Sequence, residues 1–483
     1  MSDRGSRKLL TYSFENVEGT LYEYLYECIK NDILQGKIQS GERLPSKRMF
    51  AQNHGISTIT IQNAYDQLIS EGYIYTIPKK GYYVAEIKGG TNSFQISKNT
   101  RNVVVPPKKE KYKIDLSSNQ MNPEKFPFSV WAKMGRQIIS NESKALMEVS
   151  PTGGILELRE AIAEHLSSFR NMIVDPNQII IGAGTEYLYS LLIQLFGANQ
   201  IYCVENPGYK KLVQIYQQYN IFCKYADMDD SGISIQGLND ANANIAHISP
   251  NHHFPTGITM PIHRRYEVLA WANEKEDRYI IEDDYDSEFR INGKPIPTLF
   301  SIDACEKVIY MNTFSKSLTP TIRISYMVLP IHLANRFYEK LSFYSCTVSN
   351  FEQYTLAAFI KQGYFEKHIN RMRLHYSRVR NKIVEYLEES KLKRVCQIVE
   401  NDSGLHFLLR VDTTMSDQQV SELLKEQGIH IQALSEYFLF GENESEHLFL
   451  FNYSNLELED VEVAFEALYY ILFQEKEKPD CLY

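Results

Sequence analysis

The chain has no apolar run approaching the roughly 18 residues that a helix needs to cross a bilayer. Its opening Met1-Ser2-Asp3-Arg4-Gly5 also lacks a signal-peptide core. Helical membrane and secreted proteins are therefore not expected, and a cytoplasmic location is. The seven cysteines, at 28, 203, 223, 305, 346, 396 and 481, include no C-x-x-C pair and suggest no disulfide framework. That scatter fits a reducing compartment. Cations are in deficit: 51 Lys+Arg against 60 Asp+Glu leave a net charge of −9, which argues against nonspecific nucleic-acid binding by the whole molecule. There is no internal repeat. His252-His253 and His430 stand without metal-ligand company, so they read as packing or pocket-rim histidines, and no metal site is expected.

At 483 residues the chain exceeds the usual reach of one core, so at least two domains are expected. A polar stretch from Gly89-Gly90-Thr91-Asn92-Ser93 through Val105-Pro106-Pro107-Lys108-Lys109-Glu110-Lys111 lacks apolar periodicity and marks the division. This gives an N-terminal domain over 1–84, a linker over 85–113 and a large domain over 114–483. In the linker Lys88, Lys98, Arg101, Lys108, Lys109, Lys111 and Lys113 oppose only Glu86 and Glu110. Two readings stand: a positive neck that orients DNA toward the N-terminal domain, or lysines that keep a linker solvated.

The large domain holds a set of residues with shared chemistry. Lys316 lies in Asn312-Thr313-Phe314-Ser315-Lys316-Ser317-Leu318, with Arg323 seven residues on and Asp283-Asp284-Tyr285 upstream. Holding pyridoxal 5′-phosphate (PLP) requires an amine for a Schiff base, a carboxylate for the pyridine nitrogen, and hydroxyls plus a cation for the phosphate. All are present. Tyr279-Ile280-Ile281-Glu282 reads as a buried parallel strand that delivers Asp283 at its C-terminal end, where open α/β sheets bind ligands. Val308–Met311 reads as another, delivering Thr313, Ser315 and Lys316 on the following loop. Ile179-Ile180-Ile181-Gly182-Ala183-Gly184-Thr185-Glu186 reads as a strand, a glycine turn and a helix start whose free N–H groups suit a phosphate. Asn206-Pro207-Gly208-Tyr209, after the strand Ile201–Val204, offers a ring for the pyridine face.

From about Ile114 onward these motifs resemble the fold-type I aminotransferases, with a large and a small lobe. The resemblance implies Lys316 as the Schiff-base lysine, Asp283 on the ring nitrogen, Tyr285 on the ring hydroxyl and Tyr209 as the stacking ring. It places Gly184, Thr185, Thr313, Ser315 and Arg323 around the phosphate. Three positions depart from the enzymes' pattern. In Phe254-Pro255-Thr256-Gly257, Phe254 replaces an asparagine. Val149, before Ser150-Pro151-Thr152-Gly153-Gly154, replaces a tyrosine that reaches the partner subunit's phosphate. In Leu450-Phe451-Asn452-Tyr453, Leu450 replaces the arginine that grips a substrate α-carboxylate.

The N-terminus has a different logic. Ser57 is a good helix N-cap, and Ile61, Ala64, Tyr65, Leu68 and Ile69 follow at helical spacing, leaving Thr58, Thr60, Gln62 and Asn63 on the open face. Pro45-Ser46-Lys47-Arg48 starts a short helix through Asn53, and His54-Gly55-Ile56 is the turn between the two. Tyr73–Tyr75 and Tyr82–Val84 flank Pro78-Lys79-Lys80-Gly81, a hairpin with cations at its tip. Two helices and a hairpin make a winged helix-turn-helix. Gly41-Glu42-Arg43-Leu44-Pro45-Ser46-Lys47-Arg48 and Ser57-Thr58-Ile59-Thr60-Ile61 resemble the GntR type, which implies DNA contacts from Arg43, Ser46, Lys47, Arg48, Ser57, Thr58, Thr60 and Gln62. Thr58 stands where many relatives carry arginine.

Both resemblances, in this order, are those of the MocR/GabR-type regulators. They imply a PLP-dependent, ligand-responsive, homodimeric transcription factor of amine, amino-acid or vitamin B6 metabolism genes. Two further classes stay open: an active aminotransferase carrying a DNA-binding domain, and a DNA-binding protein whose large domain only dimerises. In the γ-aminobutyrate-responsive members two arginines hold the effector carboxylate; the corresponding residues here are Lys211 and Glu436. A lysine lacks the bidentate fork and a glutamate repels a carboxylate, unless Glu436 points to solvent. The expected effector is another amine, an amino acid or PLP itself.

Overall fold

The computed structural model describes residues 10–14, 17, 19–87, 110–118, 121–290, 296–399, 404–439 and 447–473. Most of the basic linker, 88–109, and Cys481 lie outside them. The chain separates into two compact units, Met1–Lys109 and Glu110–Tyr483.

The first unit is a winged helix. Ser46 caps the helix Lys47–His54 by accepting from the Met49 N–H, and Gly55, with φ 66°, ends it in the left-handed region that glycine tolerates. Ser57 caps the helix Thr58–Ser70, and Ile74–Ile77 pairs antiparallel with Gly81–Val84 to form the wing. The structure adds a third helix, Leu21–Leu34, whose Leu25, Ile29 and Ile33 are buried at a spacing of four. These side chains close the core over Phe50, Ile61, Tyr65 and Leu68.

The second unit is α/β. Its main sheet runs in the order Ile179–Gly182, Ser325–Val328, Val308–Thr313, Tyr279–Asp283, Ile245–Ile248, Ile201–Asn206, Phe222–Asp229, Gly232–Ile233. The four strands from Val308–Thr313 to Ile201–Asn206 are mutually parallel, and Phe222–Asp229 joins them in parallel. Ser325–Val328 runs against both of its neighbours. Ile179–Gly182 consequently points the same way as the parallel strands, and the chain entering Ser325 arrives at their C-terminal edge. Six strand ends and two strand starts, at Ser325 and Gly232, thus converge on that edge. Buried Ile, Val and Met on both faces account for it, because such a sheet must be covered by helices on each side. A second, antiparallel sheet of Cys396–Val399, His406–Val411, Leu448–Asn452 and Gln432–Ala433 forms the smaller lobe, with the helices Asp417–Glu426 and Leu458–Phe473.

Candidate functional site

Period-two alternation along Tyr279-Ile280-Ile281-Glu282-Asp283-Asp284 sends neighbouring carboxylates to opposite sides of the sheet. Asp284 is buried in an ion pair with Arg170 and also accepts from the Tyr310 hydroxyl at 2.7 Å and from Asn251 Nδ2 at 2.9 Å. Asp283 faces the other way. Its Oδ2 accepts from the Tyr189 hydroxyl at 3.0 Å and lies 3.7 Å from His247 Nε2, while its Oδ1 is enclosed without a hydrogen-bond partner. A buried carboxylate oxygen with no donor is an unfilled acceptor position.

Lys316 stands in the single helical turn Phe314–Ser317, which Thr313 caps by accepting from the Ser315 N–H at 3.1 Å. Burial pulls the Lys316 amine down to about 7, against the opposing pull of Asp286 and Asp283. Near neutral pH a large share of it is the free amine, the nucleophilic form. Burial, then the acidic neighbours, keep the Tyr285 phenol protonated and hence a donor. Its oxygen lies 3.3 Å from His252 Nδ1, which is itself 2.8 Å from Asp286 Oδ2.

At the end of Ile179–Gly182, Gly184 has φ 92°, and a Cβ there would collide with the Arg323 guanidinium. Arg323, itself left-handed at φ 51°, donates to the Ala183 carbonyl at 3.4 Å and lies 3.5 Å from Glu186. Glu186 also pairs with Lys211. The helix Thr185–Phe196 begins here, so its free N–H groups and one guanidinium together form a place suited to an anion. Tyr209, half exposed, meets Phe254 edge-to-face at 6.1 Å. Ser315 is half-buried. Thr313 is turned inward, accepting from Ser325 Oγ at 2.7 Å. The donor set fits PLP: an amine, an unfilled carboxylate acceptor, a protonated phenol and an anion cradle all lie at one sheet edge.

In the N-terminal unit Arg43 bridges to Tyr83 of the wing, and its guanidinium packs over Gly81. Arg48, Ser46, Ser57, Thr58 and Gln62 are exposed, whereas Lys47 and Thr60 are half-buried.

Comparison with known proteins agrees with both units. Residues 21–84 match the family model for bacterial regulatory proteins, gntR family, and residues 111–468 match aminotransferase class I and II. The HTH-type transcriptional regulator YdeL of Bacillus subtilis is 38% identical over 86% of this chain and 89% of its own. The probable rhizopine catabolism regulatory protein MocR of Rhizobium meliloti is 30% identical over 86% of this chain and 87% of its own. The chain belongs to the MocR-type GntR regulators. Its large unit shares the fold of Pyrococcus horikoshii kynurenine aminotransferase, solved in complex with PMP, at a TM-score of 0.65 and 23% identity over 77% of this chain and 92% of that one. The HTH-type pyridoxine biosynthesis transcriptional regulator PdxR of Corynebacterium glutamicum is 30% identical over 86% of this chain and 88% of its own. This chain is therefore an HTH-type transcriptional regulator with an aminotransferase-fold domain.

In this MocR-type regulator His252 has the company that the sequence hides. His252, Asp286 and His406 bring their potential ligand atoms within 4.8 Å of one another, which corrects the reading of His252 as isolated. Both ring nitrogens of His406 are buried, and burial holds the ring neutral. The three residues are about 154 positions apart at their extremes (406 − 252), so only the folded sheet edge unites them. Tyr189, which donates to Asp283, and His247, which lies beside it, carry little signal of their role; the visible one is a histidine within the apolar run Ile245-Ala246-His247-Ile248. His430 instead pairs with Asp115 at 2.9 Å and stacks on Tyr112. Gly404 has φ 75°, and a Cβ there would strike the His252 ring. Gly404→Ala is expected to destabilise the large unit by about 1–3 kcal/mol through overpacking and backbone strain. Gly363→Ala, left-handed but with open space around it, should cost less. Urea unfolding of the two variants checks the difference.

Proposed function

We propose that this regulator binds PLP in its large domain and an amine ligand beside it, and transmits the ligand's presence to operator DNA as a homodimer. The observation that carries this reading is a Lys316 amine held near neutrality by burial, next to the unfilled Oδ1 of Asp283. PLP, when bound, supplies an aldehyde that captures primary amines. Lys316 is assigned to hold it, Asp283 to accept the proton of its ring nitrogen, and Tyr285 to donate to its ring oxygen. Tyr209 is assigned to its face, and Gly184, Thr185, Ser315 and Arg323 to its phosphate, with the inward-turned Thr313 acting on that loop by accepting from the Ser315 N–H. Exposed Met147 and Val149 support a self-associating surface.

The effector is a primary amine other than γ-aminobutyrate, an amino acid, or PLP itself. Lys211 is tied to Glu186, and Glu436 is exposed and accepts from the Ala433 N–H of its own turn. The two segments nevertheless adjoin, since the Gly208 N–H donates to the Tyr437 carbonyl at 3.1 Å. Leu450 is fully buried against Leu408 and Tyr437 where the enzymes' pattern has arginine. That substitution supports sensing over transamination of amino acids. The test is a titration of γ-aminobutyrate, other amines, amino acids and PLP against the protein bound to its own promoter DNA. Altered DNA affinity and cofactor absorption at submillimolar γ-aminobutyrate would contradict the effector assignment, and steady turnover with an amino acid would make the chain an enzyme.

The DNA face is assigned to Arg43, Ser46, Lys47 and Arg48 for phosphates and to Ser57, Thr58, Thr60 and Gln62 at the recognition helix. Arg43→Ala and Arg48→Ala should each weaken promoter binding about tenfold at physiological salt and reduce the log–log salt slope by about one. Cofactor absorption should be unchanged. Fluorescence anisotropy at several salt concentrations measures both quantities, and unaltered slopes in both variants would remove the assignment.

A further inference from the structure

The recognition helix Thr58–Ser70 reads Thr-Ile-Thr-Ile-Gln-Asn-Ala-Tyr-Asp-Gln-Leu-Ile-Ser and carries neither lysine nor arginine. Ile61, Ala64, Tyr65 and Leu68 are buried. The opposite face presents Thr58, Ile59, Gln62, Asn63 and Asp66, all exposed. Ile59 is 68% exposed in the first turn, where its N–H is held by Ser57 Oγ at 3.1 Å. Isolated surface isoleucines are ordinary. This one sits at the N-terminal end of a recognition helix, the part of a helix-turn-helix that meets base edges. Gln62 and Asn63 lie three and four residues on, hence beside it on the same face.

The chemistry of the major groove sorts these side chains. Guanine is taken best by the paired donors of arginine or lysine, which this helix lacks. Adenine offers N6 and N7 to the amide of glutamine or asparagine, and thymine offers a 5-methyl group to an apolar side chain. We infer that this helix reads A·T pairs, with Ile59 against a thymine methyl and Gln62 and Asn63 on adenine edges. Thr58, at the head of the helix, offers guanine no paired cationic donor, and Ile59 supplies the methyl contact next to it. The inference rests on the DNA-binding assignment above and adds what that face recognises.

The test selects duplexes from a random pool with the full-length protein at physiological salt, then replaces each thymine of the selected site, one at a time, by deoxyuracil. Adjacent A·T pairs are expected in each half-site. At one thymine per half-site, loss of the methyl should weaken binding about fourfold, the effect of withdrawing one buried methyl group. Ile59→Ala should weaken the unmodified duplex by a similar factor and abolish the difference between thymine and uracil there, while Ile59→Val keeps it. Because Ile59 is exposed, circular dichroism should be unchanged in both variants. Invariant G·C pairs at the core of the site, uracil substitutions without effect, or an Ile59→Ala protein that still distinguishes thymine from uracil would each overturn the inference. Recovery of no preferred duplex would instead overturn the DNA-binding assignment itself.

Discussion

Lys316→Ala is expected to abolish the borohydride-sensitive visible absorption of the PLP-loaded protein and every amine-dependent change in promoter affinity, while the chain stays folded and binds DNA. Burial brings this amine to about 7, which makes it the nucleophile assigned to form a bond with the aldehyde. Removing it deletes that bond and leaves the winged helix, a separate compact unit, untouched. Persistence of the same reducible absorption in the variant would mean that another lysine carries the cofactor. A second readout follows from the lowered pKa. Between about 7 and the ordinary value near 10.4, the unfolded chain binds a proton at this lysine that the folded chain does not, so cofactor-free protein should gain stability as pH rises through that window. Lys316→Ala should flatten that rise, as measured by urea midpoints at pH 7 and pH 9.5.

Asp284→Ala should destabilise the large unit by about 3–5 kcal/mol, the usual result of leaving a buried partner charge unpaired. Arg170 and Asp284 have side chains 3% and 1% exposed, so water cannot replace the lost carboxylate. The Tyr310 hydroxyl loses its acceptor in the same step, and the Asn251 amide keeps only the longer contact to Glu282 at 3.4 Å. Arg170→Met with Asp284→Leu should recover most of the loss, because it removes both charges together. An unchanged urea midpoint in Asp284→Ala would show that the pair contributes nothing. Comparison with Asp283→Ala separates the roles of adjacent aspartates: that change should weaken PLP retention far more than it lowers stability, since Asp283 faces the ligand edge.

Much of this division was visible before folding. The run Tyr279–Asp284 announces a buried strand that ends in two carboxylates, and the loop after Val308 announces the lysine. Local signals sufficed because strand end, loop and functional group are adjacent in sequence. The caps at Ser46 and Ser57 were legible for the same reason. The helix Leu21–Leu34 carries a period-four apolar signal at Leu25, Ile29 and Ile33 yet was not read as part of the winged helix. The His252–Asp286–His406 group has no local signal at all. Gly404 makes room for one histidine while His406 arrives on a strand of the other sheet, so the group exists only after the two lobes of the large unit pack. Glu436 could not be oriented from the sequence, since its choice between pocket and solvent depends on whether its own turn offers a backbone N–H to cap.

If the DNA face is as proposed, the cation-free recognition helix separates how tightly the protein holds DNA from which DNA it chooses. Cations of this unit lie outside that helix, Arg43, Lys47, Arg48, Lys79 and Lys80 among them, and on the proposed assignment the ions they displace from DNA set the salt sensitivity of binding. On that assignment, raising ionic strength weakens the phosphate contacts shared by right and wrong sites and leaves the base contacts of the helix in place. A cell shifting between dilute and concentrated media would see promoter occupancy move, yet the ranking of promoters would stay as it was. Under the proposed effector assignment, the ligand would then act on a fixed list of addresses.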